Sequence, residues 1–296
     1  MNPLTDFPRR KTSGSLLVAY IDTSDGHDAL NLGIALARER QVTLKLVSVV
    51  SPITPQGFGV QTQDPGYNAI VRKQTQQRLT AALESLPSDI SATWHVVEGT
   101  DPALALNDAA QELECDLIIV GARSGGLLNR FRIGTVASSL LYTAQVPVAL
   151  APQGYSYPGP ITGVSALVGP RQGRSDVAAI GLDRAFRREV PLRIITLKIS
   201  GEDSGVTFEQ QLSEAIQDAV SKGRASRITT SGASVQSALQ NLSWKEGEVA
   251  VLGSARIASE GRLFLGATAN RILKHVPVPT IVVPSGYMTL KGGERS

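Results

Sequence analysis

GARSGGLLNRFRIGT, residues 121–135, is the stretch on which the fold of this chain turns. It follows the short apolar run DLIIV (116–120) and leads into VASSLLYTA (136–144), whose apolar residues have helical spacing. Glycines between a buried strand and a helix start let backbone N–H groups approach an anion, because no Cβ stands in the way and the helix N-terminus favours negative charge. An altered second version, GSARIASEGRLFLGA, occupies residues 253–267.

Sliding the sequence against itself shows that the two versions belong to a longer repeat. Gly121 pairs with Gly253, Gly134 with Gly266, Pro147 with Pro279 and Pro152 with Pro284, all at an offset of 132 residues. At the front of each copy the offset is 148, matching LLVAYI (16–21) to VSALVG (164–169). The second copy is therefore shorter, and the loss falls where the first carries the Pro/Gly-rich segment SPITPQGFGVQTQDPGY (51–67). PQGYSYPGP (152–160) is rich in turn formers and reads as a linker. The expected domains are 15–152 and 161–285, joined by a linker at 153–160, with tails at 1–14 and 286–296.

Within the first copy strands and helices alternate. LLVAYI ends in the polar DTSDG; residues 28–40 then repeat apolar positions at helical spacing. VTLKLVSVV (42–50) reads as the second strand, 67–86 as an amphipathic helix and SATWHVVEG (91–99) as the third strand. Asp101 is placed as N-cap of the next helix, with Pro102 at its first position. DLIIV and VPVALAP (146–152) supply the last two strands. Such alternation implies right-handed crossovers and a mostly parallel sheet, twice over.

Composition narrows the function. The net charge is only +3, and no dense Lys/Arg run is interleaved with aromatics, which argues against nucleic acid. No apolar run approaches the roughly 20 residues of a membrane span, and residues 1–15 have no apolar core that would make a secretory signal. A lone cysteine, Cys115, excludes an internal disulfide framework and suits a reducing cytoplasm.

The apolar strand closing on Asp22, the GTDPA turn (99–103), DLIIVG, the glycine loop, Gly134-Thr135 and the closing VPV together resemble the universal stress protein domain, across both copies. The resemblance implies an α/β fold of two tandem doubly wound, Rossmann-like domains, each a five-stranded parallel sheet in the order 3-2-1-4-5. Such sheets often pair through the last strand, so the two closing strands, VPVALA and VPTIVV, are expected to pair antiparallel across a pseudo-twofold axis. The 3-2-1-4-5 order puts the switch point between strands one and four, where such folds bind ligands. Asp22 and Gly121 end those two strands.

Nucleotide-binding members of the family carry Gly, two residues, Gly, nine residues, then Gly followed by Ser or Thr. Here those places hold Gly121, Ser124, Gly134 and Thr135, so three of four conform. Carried over, Asp22 would contact the ribose, Val49 would lie near adenine, Val120 and Gly121 would flank ribose and phosphates, and Val136 would offer a helix N–H. The implied ligand is ATP or another adenine nucleotide, held in a regulatory role with at most slow hydrolysis. The second copy holds Gly253, Arg256, Gly266 and Ala267 at the corresponding places, and Gly169-Pro170 replaces the strand-one Asp; it reads as a structural partner.

Each of these residues also has a plain structural reading. Gly121 and Gly134 are turn glycines in any α/β domain, Thr135 and Asp22 are good helix caps, and Arg123, Arg130 and Arg132 suit a solvated loop. His27, His95 and His275 lack ligand spacing for a metal, and Cys115, Trp94 and Trp244 suit packing. No catalytic elbow, zinc-protease motif, Gly-Lys-Ser/Thr phosphate loop or dinucleotide fingerprint is present. The competing reading is an interaction module with both crevices empty. Expected partners are the two domains for each other, a second copy of the chain and a regulatory protein of unknown identity, with neither nucleic acid nor membrane.

Overall fold

The computed structural model describes residues 14–51, 65–122, 133–157, 159–168, 189–201, 214–253 and 265–284, with the single positions 177, 181, 185 and 263. The first copy contributes β1 (Ser15–Ala19), α1 (Ser24–Arg40), β2 (Leu44–Val50), α2 (Pro65–Glu84), β3 (Ala92–Glu98), α3 (Pro102–Glu112), β4 (Cys115–Gly121), α4 (Thr135–Thr143) and β5 (Val148–Ala151). The second contributes β6 (Gly163–Val168), β7 (Leu192–Ile199), α5 (Glu214–Ser221), β8 (Ala225–Gly232), α6 (Val235–Gln240), β9 (Glu248–Gly253), α7 (Ala267–Leu273) and β10 (Thr280–Val283). Val177, Gly181 and Ala185 are helical and lie between β6 and β7.

All ten strands form one sheet, in the order β3-β2-β1-β4-β5-β10-β9-β6-β7-β8. Each half is thus the expected 3-2-1-4-5, and every pairing within a half is parallel. The halves meet through β5 and β10, which run antiparallel with Ala149 opposite Ile281, as expected for the two closing strands. Both strands are buried along their whole length.

The duplication extends to backbone detail. The Ile118 N–H donates to the Pro147 carbonyl, and 132 residues on Ala250 donates to Pro279. At the front offset of 148, Leu16 N–H to Thr43 O recurs as Val164 to Pro191. Gly33 packs against Val18 and Leu44, and Gly181 against the corresponding Ala166 and Leu192. A glycine helix surface against a strand survives in both copies because a Cβ would crowd that contact.

Apolar residues fill both faces of the sheet, which is why its strands read as continuous apolar runs. Successive β1 side chains alternate between them. Leu16 and Val18 pack with Leu32 and Leu36 of α1 and Leu79 of α2, while Leu17 and Ile118 pack with Leu106 of α3 and Leu140 of α4. Helices on opposite faces leave a gap above the C-terminal ends of β1 and β4, where the chain reverses direction in the sheet.

Candidate functional site

Three helix N-termini converge on that gap. Thr23, at the end of the β1 turn, caps α1 by accepting the Gly26 N–H at 3.3 Å. Asp101 caps α3, accepting from Ala103 and Leu104 at 2.9 and 3.3 Å, and Pro102 opens the helix, as its sequence indicated. α4 differs: its N-cap is Gly134, which supplies no side-chain acceptor. The first-turn N–H groups of α4 therefore receive no acceptor from their own N-cap residue, and the helix dipole lies behind them.

A cleft of about 330 Å³ lies between these termini. Val49, Val120, Gly121, Gly134, Thr135 and Val136, all named from the sequence, line it. Ser124, Arg123, Arg130 and Arg132 lie outside the described residues. Asp22 lies in the turn three residues beyond β1 and is absent from the cleft lining; its carboxylate pairs with His27 Nε2 at 3.2 Å, with both side chains about half exposed. Neither Asp22 nor Thr135 is the N-cap: Thr23 and Gly134 hold those positions.

The structure adds cleft residues that motif spacing did not reveal, among them Tyr20, Ile21, Asp25, Gly26, Pro102 and Leu106. Tyr20 and Ile21 were legible as the end of β1. Pro102 and Leu106 enter because the crossover from β3 to β4 carries α3 over the switch point. Tyr20 meets His27 edge-on at 5.7 Å, and burial, followed by the charge of Asp22, raises its phenol above the ordinary range. Gly121 has a packing role as well: a Cβ there would overlap the Asp25 carbonyl oxygen.

The universal stress protein family matches residues 13–152. A universal stress protein of Mycobacterium bovis is 26% identical over 291 residues, covering 91% of this chain and 99% of its own. Residues 13–152 are thus a universal stress protein domain. A crystal structure of a universal stress protein from Archaeoglobus fulgidus superposes with a TM-score of 0.66 at 16% identity, over 93% of this chain and 99% of that one. A universal stress protein structure from Pseudomonas aeruginosa gives 0.58 at 18%, over 91% and 92%. These likenesses show that the tandem α/β fold extends over nearly the whole chain.

The second copy is built differently at the same place. Gly253 ends β9 as Gly121 ends β4, but a Cβ on it would overlap Cγ2 of Val177. Val177 corresponds to Ala29 at the front offset of 148, so a larger side chain packs onto the strand end. Gly266 caps α7 as Gly134 caps α4. Gly169, Pro170 and Arg256 lie outside the described residues, as do both tails apart from Gly14.

The remaining titratable groups named from sequence have structural surroundings. Cys115 is buried, and burial pushes its thiol up to about 12, which leaves little thiolate at neutral pH. Burial, then nearby lysines, lowers His95 and His275. Trp244 packs in the second half with the Arg193 guanidinium 5.4 Å from its ring centroid. Among the described residues, no three His, Cys, Asp or Glu side chains group as metal ligands, and no helix is long and apolar enough to cross a membrane.

Proposed function

We propose that this is a stress-response protein of the cytoplasm whose first domain, residues 15–152, binds ATP or a related adenine nucleotide. The second domain, residues 161–285, is joined through 153–160 and serves as its built-in dimerisation partner. One observation carries the reading: the switch-point cleft is lined both by a helix start whose N-cap, Gly134, has no side chain to cap it, with Thr135 and Val136 following, and by the end of β4 at Val120-Gly121. That is the arrangement in which backbone N–H groups and a helix dipole hold phosphate. Val49 lines the apolar side, where a base would pack, and Asp22, next in sequence to the lining residue Ile21, would turn from His27 to contact a ribose. Ser124 belongs to the same loop in sequence. Occupancy biases conformation or partner choice, and any hydrolysis is slow; a second copy of the chain and a regulatory protein are the proposed partners.

Thermal unfolding with ATP tests this. A nucleotide at 100 times its Kd adds about 2.7 kcal/mol of stability. Gly134→Asp is the control: Asp is a favoured N-cap, so the helix start keeps or gains stability while a carboxylate occupies the phosphate position. The proposal requires an ATP-dependent shift in the parent protein and its loss in G134D. Absence of any shift at millimolar ATP favours the interaction module instead.

A further inference from the structure

α1 borders two cavities at once. Asp25 and Gly26 in its first turn wall the first-domain cleft. One turn later, Asp28, only 6% exposed, accepts the Gly154 N–H at Oδ2 over 2.8 Å, and Asn31 Nδ2 donates to the Tyr155 carbonyl at 2.9 Å. Residues 152–157 line a separate cleft of about 700 Å³ together with Leu239, Trp244 and His275 of the second half. We propose that α1 mechanically links these two cavities, with Asp28 and Gly154 as the joint, so that displacing α1 at the first cleft is felt at Trp244.

The joint is built rather than incidental. Gly154 has φ +73°, a left-handed conformation that glycine adopts at no steric cost, and the turn closes with Tyr155 N–H on the Pro152 carbonyl at 3.1 Å. Tyr155 then sinks into the apolar cluster that contains α1 and Ile281 of β10, so the linker cannot move without disturbing the seam between halves. A carboxylate is an uncommon group to bury, and the Gly154 and Tyr155 backbone N–H groups both favour its charged form. The parts also recur as sequence: Pro152, Gly154 and Tyr155 match Pro284, Gly286 and Tyr287, and Asp28 matches Asp176. Asn31 does not recur; Ala179 stands at its place.

This rests on the nucleotide reading only for what would move α1 in the cell, and the link itself is testable without nucleotide. Trp94→Phe leaves Trp244 as the sole tryptophan. In that background Gly121→Ala pushes on the Asp25 carbonyl; Gly26→Ala, whose Cβ would overlap the Ile21 carbonyl, is the second route should the first fail to fold. Trp244 emission should shift, and the Gly154 amide should exchange about tenfold faster, the factor expected for one hydrogen bond to a charged acceptor. Cutting the joint with Asp28→Ala and Asn31→Ala should remove the response of Trp244 to either glycine substitution. Unchanged emission and exchange in both glycine variants would overturn the link, as would the same response with the joint cut. If ATP fails to bind, the nucleotide reading falls and these outcomes stand. If ATP binds by equilibrium dialysis while Trp244 stays silent, the link falls and the nucleotide reading stands.

Discussion

Gly121, the last residue of β4, rests against the main chain of Asp25, so closely that a Cβ on it would overlap the Asp25 carbonyl oxygen. The neighbour is backbone in the first turn of α1 and cannot rotate aside as a side chain could. Gly121→Ala is therefore expected to cost about 1–3 kcal/mol, the range for overpacking, and to displace one wall of the cleft. Urea denaturation measures the first effect and the ATP-dependent thermal shift the second. A G121A protein with parental stability would mean that the contact is looser than it stands here.

Asp22 and His27 form an exposed pair across the start of α1. Such pairs contribute about 0–1 kcal/mol, so Asp22→Ala should change stability by less than about 1 kcal/mol. The same substitution should weaken the ATP-dependent shift if Asp22 turns from His27 to the ligand. Comparing the two readouts in one protein separates a binding carboxylate from a solvated one. An unchanged ATP shift in D22A removes Asp22 from the site.

Much of this was legible in the sequence because the relevant physics is periodic or punctuated. Two parallel sheets followed from alternation and from the repeat, their strand order from the resemblance to the universal stress protein domain, and Asp101-Pro102 marked α3 because capping is a local event. The antiparallel meeting of β5 and β10 followed from the same resemblance, with the repeat supplying which two strands to pair. Cleft residues tied to glycine spacing, such as Gly134 and Val136, were readable too. What escaped was set by three-dimensional approach. Asp25 enters the cleft because Gly121 admits its backbone, and Thr23 takes the cap that the plain structural reading offered to Asp22, a choice that one residue of turn geometry decides. Asp28 looked like an ordinary helix residue until a linker residue 126 positions away met it.

Asp28 also makes stability depend on pH. Burial, opposed by the Gly154 N–H, leaves its carboxyl above the usual carboxylate range. With the folded value above the unfolded one, the native state binds the proton more tightly, so the ionised carboxylate lowers stability at neutral pH. That penalty fades as pH falls through the folded value and is gone below the unfolded one. Asp28→Asn keeps an acceptor and removes the charge. Its stability relative to the parent should therefore be highest near pH 7 and decline as pH falls towards the unfolded Asp value of about 3.9. Chemical denaturation at a series of pH values measures this, and a difference that grows on acidification would reverse the assignment.

The second half carries its own buried charge network, and the cost of breaking it should be local. Arg193 Nη2 lies 2.5 Å from Glu248 Oε1, and the glutamate is 3% exposed. Ser165 Oγ also donates to Glu248 Oε1, and the Lys245 N–H donates to Oε2 at 2.9 Å. Arg193 further donates to Ser165 Oγ at 3.0 Å and to the Ser243 carbonyl at 2.9 Å. In the first copy the corresponding positions hold Leu17, Lys45 and Asp116, so a basic and an acidic residue recur without the serine. Removing one partner strands the other charge without its counter-ion, which costs about 3–5 kcal/mol. Arg193→Ala and Glu248→Ala should each fall in that range by thermal or urea unfolding. The double replacement Arg193→Met with Glu248→Leu should cost less than either, because no buried charge is left unpaired. Since none of these residues lines the first-domain cleft, the folded fraction of each variant should keep its ATP-dependent shift. A double variant less stable than both single ones would show that the pair itself, rather than the avoidance of a stranded charge, holds β6, β7 and β9 together.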